Sequence, residues 1–78
     1  MKLFLVQAKA GHPKWEPWYD KAFGFVVRAE SEREARLLAS NGAGDEGQDA
    51  WIDAEASTCV ELTADGEAGM IMQDFAHA

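Results

Sequence analysis

Fourteen carboxylates, one cysteine, two histidines and eight aromatic rings are the groups in this chain whose types could do chemistry. Their spacing decides which of them can act together. Asp45, Asp49 and Asp53 recur every four residues, but they lack the alternating oxygen spacing of a calcium loop, so a solvated acidic face is the expectation. His12 and His77 stand in no ligand spacing with Cys59 or with each other, which argues against a metal site. Cys59 would need a base beside it to serve as a nucleophile, and its stretch offers Glu61 and no histidine; a buried structural thiol is expected instead. General acid–base catalysis needs a carboxyl held in an apolar pocket, and a chain this small has little room for one. The Gly-rich run at 43–50, AGDEGQDA, would present carboxylates rather than a lysine to a phosphate. The expectation is a non-enzyme with no catalytic residue, no metal and no cofactor.

Charge placement points to binding. All seven Lys and Arg lie in residues 1–36 beside five acids, a net of +2; from Leu37 onward there is no Lys or Arg and nine acids follow, a net of −9. Such a surface repels nucleic acid at long range and attracts basic protein surfaces. The carboxylates of Asp45, Glu46, Asp49, Asp53 and Glu55 are therefore candidates to stand in for phosphates against a basic partner. The loop at 9–20, KAGHPKWEPWYD, places Trp15, Trp18 and Tyr19 among two prolines. These rings either fold back over an open side of the core or stand out as binding anchors.

Seventy-eight residues make one domain, 1–78, near the lower size limit for a single core. A hydrophobic share of 47% with 27% charged residues is that of a folded chain rather than a disordered one. One cysteine rules out an internal disulfide and suits a reducing compartment. Gln7 and Lys9 interrupt the first apolar run too early for a secretory signal, and no stretch approaches the ~20 apolar residues of a membrane span. A soluble cytoplasmic protein without membrane contact is expected.

The elements that must position these residues are read from periodicity and punctuation. Residues 2–8 read as a strand with both faces partly covered. Residues 22–29 read as a second, with Phe23, Phe25, Val27 and Ala29 on one face. Ser31 and Glu34 form a capping box that opens a helix of about two and a half turns, with Ala35, Leu38 and Ala39 as its apolar face and Asn41-Gly42 as a left-handed stop. The acidic 43–50 stretch reads as a loop, with Trp51 and Ile52 anchoring its far end. Residues 57–63 read as a third strand with Val60 and Leu62 inward, and Asp65-Gly66 as the hairpin turn into a fourth at 69–75. The order strand, strand, helix, strand, strand implies an α+β fold of two layers, a four-stranded antiparallel sheet with one helix on one face. The other face is left for the aromatic loop or a second copy of the chain to cover.

Residues 21–28, KAFGFVVR, resemble the ribonucleoprotein octapeptide of RNA-recognition motifs in Lys21, Phe23, Gly24, Phe25 and Val26. Ala22 replaces the glycine, Arg28 stands at the last stacking aromatic, and the strand, helix and strand that should precede the octapeptide do not fit. The likeness implies single-strand binding through Phe23 and Phe25, against core packing as the alternative. More of the chain, with YD followed by VVRAESEREAR and a later Trp, resembles small uncharacterised bacterial and phage proteins that carry a YD…VV.AE.E.EA pattern. In size and acidity it is also similar to phage-encoded inhibitors of host defence of the anti-CRISPR type. That class resemblance implies a protein-binding inhibitor of a nucleic-acid-handling complex, acting in the host cytoplasm and not touching nucleic acid directly. The remaining reading is an assembly protein that forms a homodimer through its sheet.

Overall fold

The computed structural model describes residues 1–15 and 20–74. Three strands, β1 (Lys2–Ala8), β2 (Gly24–Ala29) and β3 (Ser57–Leu62), form an antiparallel sheet in the order β2-β1-β3. Two helices, α1 (Glu32–Ser40) and the single-turn α2 (Asp49–Ile52), pack on one face, with a 3-10 turn at Pro13–Trp15 beside them. The α+β class and two layers match the sequence reading; the strand and helix counts do not.

Among the described residues the expected fourth strand is absent: residues 69–74 join no ladder and Gly66, with φ +143, makes no hairpin turn. Of those six residues only Ile71 is β-branched, so the segment has little intrinsic reason to extend along β3. Phe75, which the expected strand included, lies outside the described residues. The extra helix, α2, falls in what reads as the end of a loop. A four-residue helix has no stability of its own; burial of Ala50 and Trp51 holds it.

Register sorts the sheet into two faces. Phe4 and Val6 pair with Val27 and Phe25 on one side and with Glu61 and Cys59 on the other, and this face lies under the helices. The opposite face has three rows: Leu3 between Arg28 and Leu62, Leu5 between Val26 and Val60, and Gln7 between Gly24 and Thr58. Val60 and Leu62 therefore point away from the helices, opposite to expectation, and Ser57 and Cys59 point toward them. With a side-chain period of two, a single anchored residue sets the whole strand. Here the anchor is Ser57, fully buried and bonded to Arg36.

Helix α1 begins as its sequence demands. Ser31 Oγ accepts from Glu34 N at 3.2 Å, and Glu34 returns a carboxylate oxygen to the amide of Glu30 at 3.0 Å. Its buried stripe is Ala35, Arg36, Ala39 and Ser40, while Leu37 and Leu38 are nearly half exposed. The helix is thus turned relative to the expected Ala35, Leu38, Ala39 face. Small residues at 35, 39 and 40 let it sit close to the sheet, and Arg36 follows them inside. Its end needs no left-handed residue: Asn41 is helical and Gly42 does not have positive φ. Gly42 is instead required by packing, since a Cβ there would stand 2.6 Å from the Phe25 ring. The second strand begins at Gly24 rather than residue 22: Phe23 O still accepts from Ala8 N at 3.2 Å, but residues 21 and 22 turn to other partners. Ala22 N donates to Glu46, and Lys21 Nζ donates to Trp15 O.

Candidate functional site

The acidic half of the chain is organised around Trp51, whose side chain is fully buried. Trp15 tilts against it at 4.7 Å between ring centroids and Phe25 meets it edge-on at 4.9 Å. Two indole N–H groups buried in apolar surroundings need acceptors. Trp15 Nε1 donates to Ala56 O and Trp51 Nε1 to Glu46 Oε2, each at 2.7 Å. The second Glu46 oxygen accepts from Gly44 N at 3.1 Å and Ala22 N at 3.4 Å. One carboxylate thus ties the acidic loop, the start of β2 and α2 together. Gly44 permits the close approach: a Cβ there would lie 2.2 Å from Asp20 O, a backbone atom that cannot move aside.

On the other side of Trp51, Arg36 is buried and fully engaged. Its Nη1 donates to Trp51 O (3.0 Å) and Ser57 Oγ (2.8 Å), its Nη2 to Ser57 O (3.2 Å), and its Nε to the more exposed Glu32 carboxylate (3.0 Å). The guanidinium fork suits such a set of fixed acceptors in a way an ammonium does not. Neither Arg36 nor Glu46 in this role is visible in the sequence as a core group. The available signals were an Arg on the same helix stripe as Ala35, Ala39 and Ser40, and a Glu between two glycines five residues before a Trp.

The candidate binding residues separate accordingly. Trp15 is core, under the helices, and does not cover the open sheet face; Trp18 and Tyr19 lie outside the described residues. Glu46 is buried. Asp45, Asp49 and Glu55 are exposed and Asp53 half-exposed. Asp45 is pinned to Asp20, bonding it through backbone and side chain. Asp53 accepts from Glu55 N at 2.8 Å and lies 3.9 Å from Lys14 Nζ. Between α1 and α2 an open groove of about 420 Å³ is lined by Leu37 and Ile52 together with Glu32, Arg33, Arg36 and Ala54. Phe23 and Phe25 do not form a stacking platform: Phe25 is packed on Trp51, while Phe23 is outside β2 and half-exposed, with Lys21 Nζ 5.6 Å above its ring.

Cys59 is partly buried against the core, and this burial, with Glu32 nearby, pushes its thiol above the ordinary range while Arg36 pulls the other way. A thiol so raised is less ionised at neutral pH than a free cysteine. Alkylation by iodoacetamide at pH 7 should be slower than that of a free cysteine, with its rise in rate displaced to higher pH; equal rates would contradict this environment. Among the described residues no group of His, Cys, Asp and Glu side chains could hold a metal ion, and no helix is long and apolar enough to cross a membrane. Compared with known proteins, the chain matches no family model, no curated protein and no solved structure.

Proposed function

We propose that this chain is a non-enzymatic binding module that docks its acidic half on a basic protein surface. In its sharpest form it is a phage-encoded inhibitor of a host nucleic-acid-handling defence complex, of the anti-CRISPR type. The observation that supports this most is that Asp45, Asp49 and Glu55 stand exposed on a backbone pinned from beneath by the Trp51–Glu46 bond, in a half of the chain without Lys or Arg. Carboxylates on a held frame lose little conformational freedom on binding, as phosphates on a duplex do. The desolvated anchor assigned from sequence to Trp15 passes to Ile52, half-exposed between Asp49 and Asp53, and to Leu37 across the groove. In this reading the carboxylates steer the encounter and the two aliphatic side chains slow dissociation.

The test is the double replacement Asp45→Lys with Asp49→Lys, both at exposed positions. Affinity for basic candidate partners, measured by calorimetry at two salt concentrations, should fall by at least tenfold, roughly 1.4 kcal/mol, with a weaker salt dependence. Unchanged binding would end the mimicry reading. Ile52→Ala should raise the dissociation rate and leave the association rate nearly unchanged.

A further inference from the structure

The sheet face opposite the helices is apolar at its centre. Leu5 is buried there, while Val26 and Val60 on either side of it are 57% and 55% exposed. In a chain with fourteen acids, none of the strand side chains on this face is acidic, and the one charged group is Arg28 at its corner. Two copies of a molecule with net charge −7 repel each other over most of their surface. This is the face through which they can meet without bringing carboxylates together.

We propose that the open sheet face is an isologous interface and that its occupant is a second copy of this chain. The pairing follows from the rows. A two-fold axis running between the sheets and parallel to the strands sets Leu5 on Leu5, Val26 of each copy over Val60 of the other, and Arg28 over Leu62. At Leu62 β3 ends and the segment carrying Asp65 and Glu67 begins. Each copy then presents its one basic corner to the acidic segment of the other, twice, by symmetry. An axis across the strands would set Arg28 over Gly24 instead and forgo that complementarity. Three strands of about six residues cover a patch of roughly 20 by 15 Å, well below the ~800 Å² that a partner contributes to an interface of standard size. The dimer is accordingly a weak one that fills with concentration. It leaves the Asp45–Glu55 surface free, so it does not depend on the function proposed above.

Sedimentation velocity from about 10 μM to about 1 mM, a range that brackets weak interfaces, should show the mass of the full chain rising from monomer toward dimer. Val26→Asp, at an exposed position, should keep the circular dichroism of the parent and remain monomeric throughout. Arg28→Glu alone and Asp65→Lys with Glu67→Lys should each dimerise less than the parent, and an equimolar mixture of the two should recover a heterodimer. A strict monomer across the range overturns the proposal. So does a dimer that survives Val26→Asp, which would place the contact on an edge strand. Failure of the two charge variants to recover on mixing overturns the assigned pairing.

Discussion

Arg36→Ala is expected to unfold this chain or bring it to the edge of unfolding at 25 °C. The substitution deletes donors to Trp51 O, Ser57 O and Ser57 Oγ inside the fold, and of these only Trp51 O keeps another, the Ser57 hydroxyl at 3.2 Å. A buried acceptor left without a partner costs about 1–3 kcal/mol, so losing the set should cost on the order of 3 kcal/mol or more. A domain of this size has only about 3–5 kcal/mol in total. Arg36→Lys keeps a charge but not the fork and should lose about half as much. Urea unfolding followed by tryptophan fluorescence measures both variants. A loss below about 1 kcal/mol for Arg36→Ala would mean that the guanidinium is not what joins α1 to β3.

Glu46→Ala should be the second most damaging change, and it separates one acid from its neighbours. It strands the Trp51 indole N–H together with the amides of Gly44 and Ala22. Bonds to a charged acceptor contribute about 1.5–3 kcal/mol each, less where they are long, and a total loss of about 2–3 kcal/mol is expected. Trp51→Phe removes the donor and leaves the carboxylate short of one partner. The double variant should lose less than the two single losses added, by about 1–2 kcal/mol, as bonded partners do in a double-mutant cycle. Asp49→Lys, at an exposed position, should change stability by no more than about 0.5 kcal/mol. Additive losses at 46 and 51 would show that the carboxylate and the indole are not coupled. An alanine scan of the acidic half will therefore read folding at Glu46, surface chemistry at Asp49 and Glu55, and some of both at Asp45, whose carboxylate holds Asp20 N.

The parts of the fold legible in the sequence are those with local causes. β1 runs from Lys2 to Ala8 as its alternation says, and Ser31 caps α1 through Glu34 N. What was not legible has distant causes. The side of the sheet that Val60 faces depends on Ser57, which depends on Arg36, and no local period records that link. Leu38 has the composition of a core residue and lies outside because Arg36 and Ser40 take the buried stripe. The same holds for the candidate site. Trp15 and Glu46 have the residue types of a binding surface, and each spends its polar atoms on the other side of the core, Trp15 on Ala56 and Glu46 on Trp51. The exposed acids were legible because their exposure needs no tertiary contact to explain it.

The sheet order carries a kinetic consequence. β1 is the central strand, yet both of its partners follow it in the chain: Leu3 can pair with Arg28 once β2 is made, but its other edge stays open until Leu62 arrives. Pairings between residues so far apart in sequence make folding slow, because a long loop must close before its contacts repay the lost freedom. During synthesis β1 is made before either of the two strands it pairs with, a hydrophobic ribbon with two open edges. Cutting or stalling the chain within β3 leaves Phe4, Leu5 and Val6 beside one unpaired edge. The half-made protein is then the species most prone to aggregate, and replacements that hasten the pairing of β1 with β2 should raise the yield of folded chain more than their effect on equilibrium stability suggests.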